Sequence, residues 1–125
     1  MKSKLLFLLA IPVLLGNIYA QPKAVFKPMS YDFGNIVQDS VVEKIFVITN
    51  EGNDTLKIHD IKVSCGCTAA VIGKKELAPS ISTEIKVTFD SKGRLGKQNK
   101  IISVYTNDPD NSVIRLTLKG NVLKK

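Results

Sequence analysis

Ile81-Ser82-Thr83-Glu84-Ile85-Lys86-Val87-Thr88-Phe89-Asp90 alternates between branched or apolar residues and polar ones along its whole length. Successive side chains of a strand point to opposite faces, so this segment predicts a strand with one buried and one wet side. Moving outward, the period stays at two and no stretch carries helical spacing. Val113 to Val122 repeats the pattern, with Ile114, Leu116, Leu118 and Val122 inward, Arg115, Thr117 and Lys119 outward, and Gly120 interrupting the apolar series. Val41 to Thr49 is apolar on both parities except for Glu43 and Lys44, which predicts a central strand whose far end is covered on both sides. Tyr31 to Ile36, Leu56 to Val63 and Ile101 to Thr106 are further strand segments.

Turn residues separate these runs at the spacing of an all-β protein. Asn50-Glu51-Gly52-Asn53-Asp54 reads as a hairpin connection, because Gly and Asn tolerate the positive φ of tight turns. Asp90 to Gly96 reads as a longer loop, and Asn107-Asp108-Pro109-Asp110-Asn111 as a turn in which Pro109 removes a ladder donor. The expected fold is an immunoglobulin-like sandwich of about seven antiparallel strands. Its predicted core is Phe33, Phe46, Ile48, Leu56, Ile58, Ile85, Val87, Phe89, Ile102, Val104, Leu116 and Leu118. An immunoglobulin domain proper would place a tryptophan between two distant cysteines. This chain has no tryptophan, and its two cysteines are separated by one glycine, so apolar packing must hold the sheets together.

The first twenty residues have a different character. Met1-Lys2-Ser3-Lys4 supplies a positive start and Leu5 to Gly16 an apolar run, followed by Ile18-Tyr19-Ala20, the pattern of a cleavable export signal. That run is short of the roughly 20 residues needed to span a bilayer. The expected organisation is a signal peptide over 1–20, a lead-in over 21–30 and the sandwich over 31–125, with no transmembrane segment after signal removal and a periplasmic or secreted location. Loss of Lys2 and Lys4 lowers 18 basic residues to 16 against 11 acidic ones, a net charge of +5. This mild excess reads as a solvated surface, and export argues against nucleic acid as a partner.

Several ordered motifs resemble one family. Val63-Ser64-Cys65-Gly66-Cys67-Thr68, Ala78-Pro79, Ile85 to Arg94 with Gly96, Thr106-Asn107-Asp108-Pro109 and Leu118-Lys119-Gly120-Asn121-Val122 are similar to the exported bacterial family of unknown function marked by Ser-Cys-Gly-Cys-Thr. The resemblance runs from about Tyr31 to Val122. It implies an immunoglobulin-like module of the Hydin and major sperm protein type with a binding or scaffolding role, and carries no catalytic residue. Ser80 departs from the family's usual glycine after the proline, which argues against a type II turn there.

Cys65 and Cys67 are the candidate reactive pair. On a strand, residues i and i+2 share a face, so both thiolates could grip one soft ion such as Cu(I). Extended backbone holds such residues too far apart for a disulfide, whose Cβ atoms lie about 3.8 Å apart, but Gly66 could bend the chain. Structural packing or a static disulfide, redox exchange, soft-metal binding and an intermolecular link all stay open. The lone His59 reads as a surface or cross-strand residue. Lys92, Arg94, Lys97 and Lys100 form a candidate binding loop without the residue order of a phosphate loop. Asp108 and Asp110 read as turn caps, since calcium needs six or more oxygens. With a single histidine no Ser, His and acid set is recognisable, and the expectation is a non-enzymatic envelope module that needs no cofactor and binds a protein, through a sheet edge or the loops around Cys67 and Gly93 to Gly96; the alternative is a thiol redox or copper-handling protein. Intact mass of the protein isolated from its native compartment is expected to place the mature N-terminus at Gln21; a mass retaining residues 1–20 would refute cleavage.

Overall fold

The structure, a computed structural model, describes residues 20–125. The export-signal reading therefore lies, apart from Ala20, outside the described residues. Nine strands are formed: β1 (Ala24–Lys27), β2 (Ser30–Val37), β3 (Val41–Asn50), β4 (Leu56–Val63), β5 (Thr68–Ile72), β6 (Glu76–Leu77), β7 (Ser82–Asp90), β8 (Gly96–Thr106) and β9 (Val113–Leu123). They make two sheets, β1-β3-β7-β5 and β2-β9-β8-β4-β6, packed face to face as an immunoglobulin-like sandwich. The inward side chains of Phe46, Ile48, Leu56, Ile85, Val87, Phe89, Ile102, Val104, Leu116 and Leu118 are fully buried between them.

Eleven of the twelve residues predicted for the core are buried, as the period-two pattern requires; Phe33 is only partly so. Its ring stacks on Phe89 of the opposite sheet, with centroids 5.6 Å apart. A Cβ on Gly120 would strike that ring, so the glycine that interrupts the apolar series of β9 makes room for an aromatic from the neighbouring strand. Ile81 is exposed, because β7 begins only at Ser82.

Four expectations are corrected. The strands are not all antiparallel: β2 runs parallel to β9 at the sheet edge. The stretch 21–30 supplies β1, which pairs with β3 and buries Ala24 and Phe26. Residues 50–54 do not close a hairpin, since β3 and β4 lie in different sheets and the turn is an arch between them. Finally, Ser80 adopts φ +69 behind Pro79, with Ile81 N–H donating to Ala78 O at 3.1 Å, the arrangement of a type II turn. Ser80 N–H donates to Asn50 O at 2.8 Å, and this long-range bond holds the left-handed residue in place.

Asn50 organises that whole end of the sandwich. It is fully buried, and its carboxamide uses all of its bonding capacity. Nδ2 donates to Asp54 O at 2.7 Å and to Leu77 O at 2.9 Å, while Oδ1 accepts from Gly52 N at 2.9 Å and from Lys23 N at 3.2 Å. A Cβ on Gly52 would collide with the backbone of Gln21 to Lys23, so the arch and β1 must lie this close together. Replacement by alanine orphans two donors and two acceptors, each costing about 1–3 kcal/mol where water cannot enter. Asn50→Ala is thus expected to lose at least about 3 kcal/mol of unfolding free energy in a urea titration. A loss below about 1 kcal/mol would show that water replaces the amide.

Candidate functional site

Two features stand out at the opposite end and along one side of the sandwich. The first is the cysteine pair. Cys65, Gly66 and Cys67 lie in the tight turn between β4 and β5, which carries the chain from one sheet to the other, and not on a strand as the sequence pattern suggests. The turn is closed by its own backbone, with Thr68 N–H donating to Cys65 O at 3.2 Å. Its flanks are tied down by Ser64 N–H to Ile101 O at 3.0 Å and Asp90 N–H to Cys67 O at 2.9 Å.

Bending at Gly66 brings the Cα atoms to 5.3 Å, within the range of a disulfide, and Cys65 and Cys67 are paired as one. A bridge that closes only three residues removes little chain entropy, about 1.5 kcal/mol against about 3 kcal/mol for a 15-residue loop. As a staple it adds little to a turn that the backbone already holds. The two sulfurs differ in setting. Cys67 packs against the core cluster, and its Sγ lies 3.6 Å from Thr68 Oγ1. Cys65 is outside that cluster, and its Sγ accepts the Cys67 N–H at 3.1 Å. The Gly66 Cα faces open space. No group of three or more His, Cys, Asp or Glu side chains that could hold a metal lies among the described residues. His59 is exposed on β4, at the bulge in its pairing with β8.

The second feature is the free edge of β5. In its ladder with β7, Cys67 O accepts from Asp90 N and Gly73 N donates to Glu84 O, so the odd-numbered residues face β7. The main-chain groups of Ala70 and Ile72 consequently face outward. Three other edges are blunted. On β1, the outward N–H of Ala24 is capped by Asp108 Oδ2 at 2.8 Å. On β2, the register shifts at Gly34, φ +72, whose N–H turns to Asp32 Oδ1. On β4, β6 covers Leu56 and Lys57, Lys75 O takes the Ile58 N–H, and Asp60 Oδ1 takes the Ile61 N–H at 2.8 Å. Thr68-Ala69-Ala70-Val71-Ile72 has none of these devices, no charge and no proline, and Val71 is 64% exposed. Beside it, between β4 and β5, runs a slot of about 190 Å³ lined by Ile58, Asp60, Ile61, Ala70, Ile72 and Lys75. Sequence reasoning passed over β5; an uncharged run with two β-branched residues, ended by Gly73, was the signal available.

The basic candidates do not form one loop. Lys92 is exposed and Arg94 half-buried in the connection between β7 and β8, whereas Lys97 and Lys100 belong to β8 itself. Three residues apart on a strand, these two face opposite ways. Lys97 lines a shallow depression of about 530 Å³ on the outer side of the sheet with Asp32, Asn35, Asn99, Lys119 and Asn121. Lys100 turns inward, its ammonium 5.6 Å from the Phe89 ring centroid. Burial, with help from the Arg94 guanidinium, lowers its pKa.

Asp108 is a buried turn cap. Oδ1 accepts Asp110 N–H at 2.9 Å, and Oδ2 accepts Ala24 N–H at 2.8 Å and Asn111 Nδ2 at 3.4 Å. Asp110, its sequence neighbour across Pro109, is exposed.

A family model for proteins of unknown function, DUF1573, matches residues 24–122, and the chain belongs to that family. No curated protein matches it. Among solved structures it is similar to a protein of unknown function from Porphyromonas gingivalis W83, with a TM-score of 0.72 and 22% identity over 90% of this chain and 51% of that one, so it spans about half of that protein's length. It is similar to the ASH or PapD-like domain of human CEP192, with a TM-score of 0.68 and 12% identity over 93% of this chain and 97% of that one. It also resembles the periplasmic chaperone SfaE, with a TM-score of 0.56 and 9% identity over 80% and 58%. At these identities the likeness is one of fold: a PapD-like, immunoglobulin-like sandwich.

Burial raises the Asp108 pKa, but the hydrogen bonds from Ala24, Asp110 and Asn111 outweigh it and hold the carboxyl below its ordinary value. A depressed folded pKa stabilises the protein fully above the unfolded value of about 3.9, and the contribution fades as pH falls through that value toward the folded one. Asp108→Asn is therefore expected to be less stable than the wild type at pH 6, and the gap to narrow as the pH falls from about 4 through the carboxylate range, as read by thermal unfolding midpoints. Parallel pH profiles would refute this role.

Proposed function

We propose that this DUF1573 member is an exported, non-enzymatic protein-binding module of the cell envelope, which takes up an extended segment of another protein along the free edge of β5. One observation carries the reading: among the described residues, β5 alone of the four sheet margins keeps uncharged, unblocked backbone. Unpaired N–H and C=O groups template a further strand, and folded proteins blunt such edges unless they are covered in use. Export is supported by the basic start and apolar run of residues 1–20. Kinship in fold with a periplasmic chaperone supports protein binding at the level of architecture.

The chemistry of the segment follows from the slot. A strand added to β5 sends every second side chain toward the space between the sheets, where Ile58, Ile61, Ala70 and Ile72 offer apolar contact. The occupant is thus an extended peptide with apolar residues at alternate positions. Backbone pairing supplies affinity and the slot supplies selection.

Selection of random octapeptides against the mature protein tests this. Recovered peptides are expected to alternate in polarity and to lose at least tenfold in affinity to Ala70→Pro, which deletes an outward N–H and no bond to β7. Val71→Lys, a charge placed on the exposed face of the edge, is expected to weaken binding in the same direction and leaves the core untouched. Peptides that bind both variants like the wild type would overturn the proposal, as would pairing of β5 between two copies in sedimentation, lost in Ala70→Pro.

A further inference from the structure

We infer that Cys65 is a thiol-exchange site, at which a cysteine of a partner protein is taken up as a mixed disulfide. Three observations on the turn carry this, and none depends on strand addition at β5. The bridge spans a turn that backbone hydrogen bonds already close, from Thr68 N to Cys65 O and from Asp90 N to Cys67 O, so opening it leaves the turn's frame intact. The two sulfurs are unequal, Cys67 lying against the core cluster and Cys65 outside it. A Cβ on Gly66 would meet nothing within 4 Å beyond its two neighbours, so no other part of the described chain packs on that side of the turn.

Exchange at sulfur is an in-line displacement in which the attacking thiolate approaches opposite the leaving sulfur. Attack on Cys65 expels Cys67, the sulfur that packs against the core cluster, whereas attack on Cys67 would have to reach the sulfur that lies against that cluster. A partner thiolate therefore attacks Cys65 Sγ. The new bond joins the partner's sulfur to Cys65, the Cys65–Cys67 bond breaks, and its electron pair leaves on Cys67 Sγ, which the Thr68 hydroxyl can meet and which takes a proton from water. The Cys67 thiolate can reverse the step. If a second thiol of the partner displaces Cys65 instead, the partner gains a disulfide and the pair is left as two thiols, with atoms and electrons balanced. The Cys67 N–H, 3.1 Å from Cys65 Sγ, stabilises negative charge on the sulfur that is then released.

The test uses oxidised glutathione as the probe on the mature Cys67→Ser and Cys65→Ser proteins, with labelling followed by intact mass. Cys67→Ser is expected to be glutathionylated at least tenfold faster than Cys65→Ser, and this difference should vanish in urea, where both thiols are free. Equal rates in the folded proteins, or thiols inert when folded and reactive only when unfolded, would overturn the inference. Should either variant fail to fold, reduced wild-type protein treated with a limiting amount of iodoacetamide gives the same reading by peptide mapping: label expected first on Cys65, and label first on Cys67 refuting it.

Discussion

Two sheets cannot be joined without carrying backbone across the end of an apolar core, and the polar groups of those crossings must be satisfied out of reach of water. Asn50 and Asp108 meet that constraint at one end. Asn50 links β3 to the start of β1, to the arch that follows it, and to Leu77 of β6. Asp108 ties the turn after β8 to Ala24 on β1. The apolar layer between the sheets supplies most of the stabilisation, but these two side chains fix which crossings the chain makes. Neither could be exchanged for an apolar residue of similar size, because the main-chain groups they bond would stay behind unbonded.

The opposite end is built differently. There the crossing from β4 to β5 is a turn of small residues held by backbone bonds, and the core is closed by side chains that reach over it: Phe33 stacked on Phe89, and the Lys100 stem with its ammonium near the same ring. A lysine in that position covers apolar surface with its methylenes. Fully buried Ser91 ties the crossing from β2 to β3 at this end, its hydroxyl accepting from Ser40 N and donating to Ser40 O, and beside it a half-buried sulfur pair sits at the foot of the β5 margin.

What was legible in the sequence was whatever depends on local alternation. Ile85, Val87 and Phe89, or Leu116 and Leu118, declare their face by spacing alone, because strand geometry and burial impose the same period. What was hidden depends on pairing with residues far away in the chain. Nothing near Asn50 distinguishes a hairpin from an arch, since both need the same turn residues, and only the sheet membership of β4 decides. Ser80 was read from its own preference, yet its φ is set by a bond to Asn50 thirty residues earlier. The parallel seating of β2 on β9 is equally non-local. For the candidate site, the cysteine motif announced itself, but its place in a turn did not, and β5 was too short and too uniform in polarity to show alternation.

The adjacency of the two candidate features follows from topology. Thr68 is the residue they share: its N–H closes the cysteine turn on Cys65 O, its buried side chain anchors the first position of β5, and its hydroxyl lies beside Cys67 Sγ. From Ala69 onward β5 is fixed by its ladder to β7, which is itself paired on its other side with β3. A change of bonding at the sulfurs therefore bears first on the turn and on Thr68, and the ladder to β7 takes over from Ala69. The outward groups of Ala70 and Ile72 lie beyond that junction, on residues held in the β7 ladder, so the free edge and the cysteine pair are neighbours a few residues apart that are held by different bonds.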